Sequence, residues 1–293
     1  MSKKVDARST VKVVTANDFI TAKGLENLPL NSRKLLYLAI SQCKKRDDQF
    51  FEYEMTVKDF ANLMGIDESN IYKHAKDITG NLVTLAIECS LGDKDYDQYS
   101  LFSKCSYRSG EGMIRFKLNQ DMTDFLLNVK RDFTQPLLQD FLRMKSPYSM
   151  AIWHLMQREM GSKKPGVTNR IEFDLDLGEL REVTGTQNKL KQIGQFKERC
   201  FDKALREISE NCGVEITYEN IKRGRSIIGF RCTAISPYHT EASDIDQDVK
   251  DRARLGVLRI QSKQRTLSQA EQEEYDRLVA DAEQIEFRFN GLS

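Results

Sequence analysis

Histidine and cysteine are scarce in this chain, and neither is placed for chemistry: three histidines and six cysteines among 293 residues. Cys43, Cys89, Cys105, Cys200, Cys212 and Cys232 form no C-x-x-C pair, which argues against both a zinc site and a disulfide framework. Cys43 and Cys200 fall in apolar helical patterns, where a buried free thiol is expected. His74, His154 and His239 make no H-x-H pair, against the metal-bound tyrosine nucleases that nick origins; His154 lies on a core-rich helix and reads as structural. No G-x-x-x-x-G-K-[ST] loop is present, so ATP hydrolysis is not expected. No apolar run is long enough to span a membrane. The N-terminus, MSKKVDARST, lacks the apolar stretch of a secretory signal. A cytoplasmic protein with no catalytic residue, metal or cofactor is the expectation.

The net charge of +1 hides an uneven distribution. Residues 1–12 carry four basic groups against one acidic, and residues 187–231 carry ten against six. Residues 241–293 carry eight basic groups against twelve acidic. An acidic tail therefore masks a moderately basic body, and the total does not argue against nucleic-acid binding.

The most informative pattern is internal. Residues 51–65, FEYEMTVKDFANLMG, reappear in physical outline at 171–185, IEFDLDLGELREVTG, at a constant offset of 120. Each copy alternates apolar and acidic residues, changes to helical spacing and stops at a glycine. A short strand feeding a short helix is the opening of a winged helix. Two copies predict an α+β chain of two tandem winged-helix domains.

Residues 1–12 read as a disordered basic arm, 13–145 as the first domain and 146–240 as the second. GSKKPGVTN near 161–170 is the linker-like stretch, and 241–293 an acidic extension. Asn31 or Ser32 is expected to cap the first helix. Strand 51–55, a helix to Met64 capped by Thr56, and a second helix to about Thr79 capped by Asp67 follow. Segments 82–90, 98–108 and 113–118 read as strands, and Ser146-Pro147 opens a helix. In the second domain, strand 171–175, helix 177–184, a long helix over about 192–211 and a hairpin of Val214–Glu219 with Ser226–Ala234 are expected. Ser268 and Glu271 form a capping box for a last helix, about 269–286.

Ala61, Gly65 and Ile71 have helix–turn–helix spacing: a small residue, a positive-φ terminator and an apolar lock. The helix after Gly65 offers Ser69, Asn70, Tyr72, Lys73, His74 and Lys76 to a groove. The turn at Gly92–Asp97, taken as that domain's wing, is acidic and should be repelled by phosphate. The hairpin bearing Lys104, Arg108, Arg115 and Lys117 is the better phosphate candidate. In the second copy, Asn188, Lys189, Lys191, Gln192, Gln195, Lys197, Arg199 and Lys203 gather around the start of the recognition helix, where base contact is made in helix-turn-helix docking. Gln195, Arg199 and Lys203 are four apart and are expected to share a face. Lys222, Arg223 and Arg225 around Gly224 give a basic wing. Aligning Lys73, Ile78 and Asn81 with Lys203, Ile208 and Asn211 places ten extra residues in the second copy, which makes it the expected main reader.

Three segments resemble a known family: VVTANDFITAKGLENLPLNSRKLLYLAISQCKK (13–45), DFTQPLLQDFLRMKSPYSMAIWHLM (132–156) and FKERCFDKALREISENCGVEITYENIKRGRSIIGFRCTAI (196–235). They are similar to the Rep_3-type, iteron-binding replication initiators of plasmids. The resemblance implies two winged-helix domains related by a pseudo-twofold, and monomers that bind directly repeated double-stranded origin DNA and promote melting. It also implies recruitment of host initiator and helicase machinery, and a homodimer that represses its own gene. By position, Lys197 and Arg199 match basic major-groove residues of the family; Glu198 departs from that pattern, which implies a different base preference. A tandem winged-helix repressor with no role in replication and a nicking nuclease are the rival readings.

Overall fold

The computed structural model describes residues 2–7, 11–44, 47–90, 95–127, 129, 132–161 and 170–235, with scattered positions over 268–279. The chain divides into two units, Met1–Lys164 with Arg170–Ile235, and Pro165–Asn169 with Ser236–Ser293.

In chain order the first unit holds β1 (Lys3–Lys4), β2 (Thr15–Ala16), α1 (Asn17–Ile20), α2 (Leu30–Ser41), β3 (Tyr53–Thr56), α3 (Val57–Met64) and α4 (Glu68–Val83). There follow β4 (Ala86–Ser90), β5 (Tyr96–Ser100), β6 (Phe102–Arg108), β7 (Met113–Leu118), α5 (Thr123–Leu126), β8 (Phe133–Thr134), α6 (Leu138–Arg143) and α7 (Pro147–Gly161). The second repeat supplies β9 (Arg170–Asp176), α8 (Leu177–Thr184), α9 (Ile193–Phe196), α10 (Asp202–Cys212), β10 (Glu215–Arg223) and β11 (Ser226–Ile235).

Each repeat builds the same winged helix. Thr56 accepts a hydrogen bond from the Asp59 N–H at 2.9 Å, and Asp176 accepts one from the Glu179 N–H at 3.0 Å, so α3 and α8 are capped at matching positions. Strand β3 pairs antiparallel with β7, and β9 pairs antiparallel with β11, the second strand of the hairpin in each case. This topology makes β6–β7 the wing of the first domain. The acidic β4–β5 hairpin, expected to be the wing, is a separate two-stranded insertion between α4 and β6; its tip, 91–94, lies outside the described residues.

Other expectations shift. Helix α4 runs on through Val83 because Ile71, Ala75, Ile78 and Leu82 continue one buried face, so the strand expected over 82–90 begins only at Ala86. The strand expected over 98–108 breaks at the fully buried Leu101, since β5 pairs with β4 and β6 with β7. Helix α2 starts after Pro29, and Ser32, expected as a cap, instead donates to the Ile78 carbonyl at 3.3 Å.

The arm expected to be disordered is tied down over residues 2–7. Lys3–Lys4 add in parallel to β3, the Lys3 N–H donating to the Glu52 carbonyl at 2.8 Å. The Asp6 N–H donates to Gln42 Oε1 at 2.7 Å and the Gln42 amide returns to the Asp6 carbonyl at 2.8 Å. The Lys3 ammonium stands 3.1 Å from the centroid of the Phe51 ring, and Val5 and Ala7 pack on the core. A basic composition concealed an edge strand that covers an otherwise unpaired ladder.

Between the two repeats, α7 is buried from Ser149 to Met156. His154 lies at its centre, with Nε2 3.0 Å from Thr15 Oγ1 and 3.2 Å from Thr134 Oγ1, and Nδ1 3.1 Å from the Tyr37 hydroxyl. Arg158 makes a two-pronged contact with Glu179, 2.7 Å at each prong, fastening α7 to α8. Of the expected linker, about 161–170, Gly161 ends α7 and Arg170 opens β9, and 162–169 lie outside the described residues. In the second unit the Ser268 capping box is present, with the Ser268 N–H donating to Glu271 Oε2 at 2.9 Å; the rest of the expected helix to 286 is described only at scattered positions or not at all.

Candidate nucleic-acid interface

The polar face of the first recognition helix, α4, follows from its core face. With Ile71, Ala75, Ile78 and Leu82 turned inward, Ser69, Asn70, Tyr72, Lys73, His74 and Lys76 are exposed. Not all are free to read DNA. Ser69 is committed to the Asp67 cap through both its N–H and its hydroxyl, which holds the Asp67 carboxyl below its ordinary range. His74 lies 3.7 Å from Asp77. Tyr72 meets Tyr107 edge-on, ring centroids 6.4 Å apart, and its hydroxyl would stand 3.0 Å from a Cβ at Gly112. It therefore braces α4 against the wing. Asn70, Lys73 and Lys76 remain as outward groups suited to bases and phosphates.

The first wing is less basic than its residue count. Lys104 pairs with Glu52 at 2.6 Å, and Arg115 pairs with Glu54 at 3.0 Å and with Glu111 at 2.8 Å. Glu54 is held below the ordinary carboxylate range by the Ser2 hydroxyl and Arg115. Lys104 and Arg115 are thus engaged across the sheet, whereas Arg108 stands exposed at the end of β6.

The second recognition element is one continuous helical run, α9, a π-helical turn over Lys197–Phe201, then α10. π turns interrupt α-helices frequently at functional sites. Phe201 anchors this one, stacking on Phe230 at 4.4 Å and meeting Tyr218 at 5.0 Å. Two of the three residues expected on one face, Arg199 and Lys203, lie together. They line a single open cleft of about 340 Å³ whose charged lining is mixed, with Lys145 and Arg206 beside Glu207 and Glu210, and Gln195 is half-buried outside it. Lys197 turns the other way, its Nζ 3.4 Å from Asn220 Oδ1 and 5.1 Å above the Tyr218 ring. Glu198, Asn188, Lys189, Lys191 and Gln192 are exposed.

The second wing is longer than the sequence suggests: β10 and β11 pair as far as Arg223 with Ser226, leaving Gly224, at φ 61°, and Arg225 as the tip. Lys222, Arg223 and Arg225 are all exposed there. Arg206 and Arg181 were missed by sequence reasoning. Arg206 could have been found from its place three residues after Lys203; Arg181, whose guanidinium donates to the carbonyls of Thr186, Lys189, Leu190 and Lys191, is recognisable only once the chain is folded.

A family described as "Initiator Replication protein, WH1" matches residues 12–157, and its companion, "Initiator Rep protein, WH2", matches residues 176–233. The chain belongs to the replication initiator protein family. Its two winged helices are the two domains that define these initiators. Among curated proteins, the PI protein of Escherichia coli is 21% identical, over 69% of this chain and 76% of its own length. Among solved structures, the Pi initiator protein in complex with iteron DNA superimposes with a TM-score of 0.67 at 19% identity, covering 79% of this chain and 99% of that one. At such identity the superposition speaks to the fold, which it shares with this initiator.

Proposed function

We propose that this initiator binds directly repeated double-stranded origin DNA, iterons, of a plasmid. The observation that carries the reading is the paired construction: two helix pairs, each opened by a side-chain-capped helix and presenting amide and basic side chains on its second helix beside a hairpin wing. The similar Pi initiator protein was solved with iteron DNA. The second domain is the main reader, because its recognition helix and wing are both basic and exposed, while Lys104 and Arg115 of the first wing are paired with Glu52, Glu54 and Glu111.

Binding at repeats serves to melt the neighbouring duplex and to recruit host initiator and helicase machinery, and a homodimer of the same chain represses its own gene. These steps take place in the cytoplasm and need no catalytic residue of this chain. Competition binding on DNA flanking the coding region tests the reading: the full chain should prefer a directly repeated segment over a scrambled one by about 10³-fold or more at physiological salt. Equal affinity for both sequences would contradict it, and metal-dependent nicking of supercoiled origin DNA would point to a nuclease instead.

A further inference from the structure

Between Gly185 and Ile193 the second repeat has seven residues where the first has two between Gly65 and Glu68, fewer extra residues than the ten expected; this longer connection is an irregular turn, which has no backbone ladder to hold it. It is nevertheless closely determined. Thr186 is fully buried, its hydroxyl 2.9 Å from that of Thr184. The Lys189 N–H donates to the Thr186 carbonyl at 3.1 Å, and Leu190 takes a left-handed φ of 50° that side-chain-bearing residues rarely adopt.

One side chain gathers the inner surface of this turn. From α8, the Arg181 guanidinium donates through one nitrogen to the carbonyls of Thr186 and Leu190, each at 3.1 Å, with that of Lys189 at 3.4 Å. Its other terminal nitrogen donates to the Lys191 carbonyl at 3.2 Å. The same guanidinium lies 4.8 Å from the centre of the Phe196 ring, at the start of the recognition helix. The carbonyls point inward onto Arg181, and Asn188, Lys189 and Lys191 are exposed. The first repeat has Ala61 at the position of Arg181 and lacks the insertion, so the guanidinium and the turn it holds occur together.

We propose that Arg181 is a positioning residue for DNA recognition: it fixes the turn that presents Asn188, Lys189 and Lys191, and it contributes to base discrimination without touching DNA. Only a planar, permanently charged fork has the donors to serve four convergent carbonyls at once; an ammonium offers fewer donors without that geometry. This inference rests on the proposed DNA-binding function, so its test has one arm without DNA and one with it.

The full chain is compared with Arg181→Met, which keeps the stem and removes the donors, and with Arg181→Lys. Without DNA, trypsin cleavage after Lys189 and Lys191 should accelerate about tenfold in Arg181→Met, with far-UV circular dichroism unchanged and Arg181→Lys intermediate. With DNA, the ratio of cognate to scrambled affinity should fall about tenfold while binding to the scrambled sequence changes less than about twofold. In a background already carrying Asn188→Ala, Lys189→Ala and Lys191→Ala, adding Arg181→Met should change the ratio by less than about twofold. Unaltered cleavage in both variants, or a loosened turn with undiminished discrimination, overturns the proposal. If Arg181→Met does not fold, Arg181→Lys decides by the same readouts. A wild-type chain that discriminates no repeat overturns the functional reading instead, and the cleavage arm still decides whether Arg181 holds the turn.

Discussion

Gly65 and Gly185, 120 residues apart, hold the same left-handed backbone, φ 63° and ψ 36° in one and φ 62° and ψ 33° in the other. In each case the following residue sends its N–H back to the helix, Ile66 to the Ala61 carbonyl at 3.1 Å and Thr186 to the Arg181 carbonyl at 2.8 Å. Both helices thus end in the same two-bond motif. The duplication visible as a residue pattern is a duplication of backbone geometry, and it directs the chain toward a recognition element in both domains.

The two glycines differ in the room around them. A Cβ at Gly65 would meet nothing within 4 Å, while one at Gly185 would lie 3.0 Å from Glu26 Cγ and 3.2 Å from Glu26 Cβ. Gly65→Ala should cost about 1–2 kcal/mol for the left-handed backbone alone. Gly185→Ala should cost measurably more. Equal losses in urea unfolding would mean that Glu26 moves aside freely.

Acidification should weaken the fold through His154. Burial, with Arg33 and Arg158 nearby, pushes its pKa from 6.5 down to about 3. Below 6.5 the unfolded chain takes up a proton that the folded chain refuses, so stability is full above that pH and falls beneath it by about 1.4 kcal/mol per pH unit at most. Asp140 acts oppositely, because burial raises its carboxyl from 3.8 to about 6 and the folded form keeps a proton there that the unfolded chain releases. The difference between wild type and His154→Gln isolates the histidine. In urea titrations between pH 7 and about 4.5 the wild type should lose stability relative to the variant as pH falls, and parallel curves would remove His154 from the account.

Arg199 and the wing arginines should separate in kind. Arg199→Ala should reduce discrimination between cognate and scrambled repeats by about 1–3 kcal/mol. Removing Arg223 and Arg225 together should weaken binding to both sequences alike and flatten the salt dependence by about two counterions. A wing variant that loses specificity and keeps its salt slope would reverse these roles.

Deleting residues 1–7 should destabilise the first domain, because it uncovers the edge of β3 and removes Val5 and Ala7 from the core surface. A loss on the order of 1–3 kcal/mol is expected from the apolar burial and the strand hydrogen bonds. Unfolding curves of the shortened chain measure it, and an unchanged midpoint would mean that the strand contributes nothing.

Much of the frame is legible in the sequence. The caps Thr56 and Asp67, the closing glycines and the alternating strands are local signals, each set by a few neighbouring residues, and they lie where the spacing put them. The errors came where long-range packing decides. Nothing in LVTLAIECS distinguishes the end of a buried helix from the start of a strand, and only the continuation of the Ile78–Leu82 face shows that α4 persists. Lys104 and Arg115 look free along the chain but sit opposite Glu52, Glu54 and Glu111 once the sheet forms. Arg181 reads as an ordinary helix-surface charge until the turn from Thr186 to Lys191 closes over it.

Footprinting of the full chain on the DNA flanking its gene tests the central claim most directly. Protection of several directly repeated segments is predicted, each spanning two successive major grooves about 34 Å apart, one for each recognition helix. Protection of a lone inverted repeat, or no sequence-dependent protection at all, would contradict it.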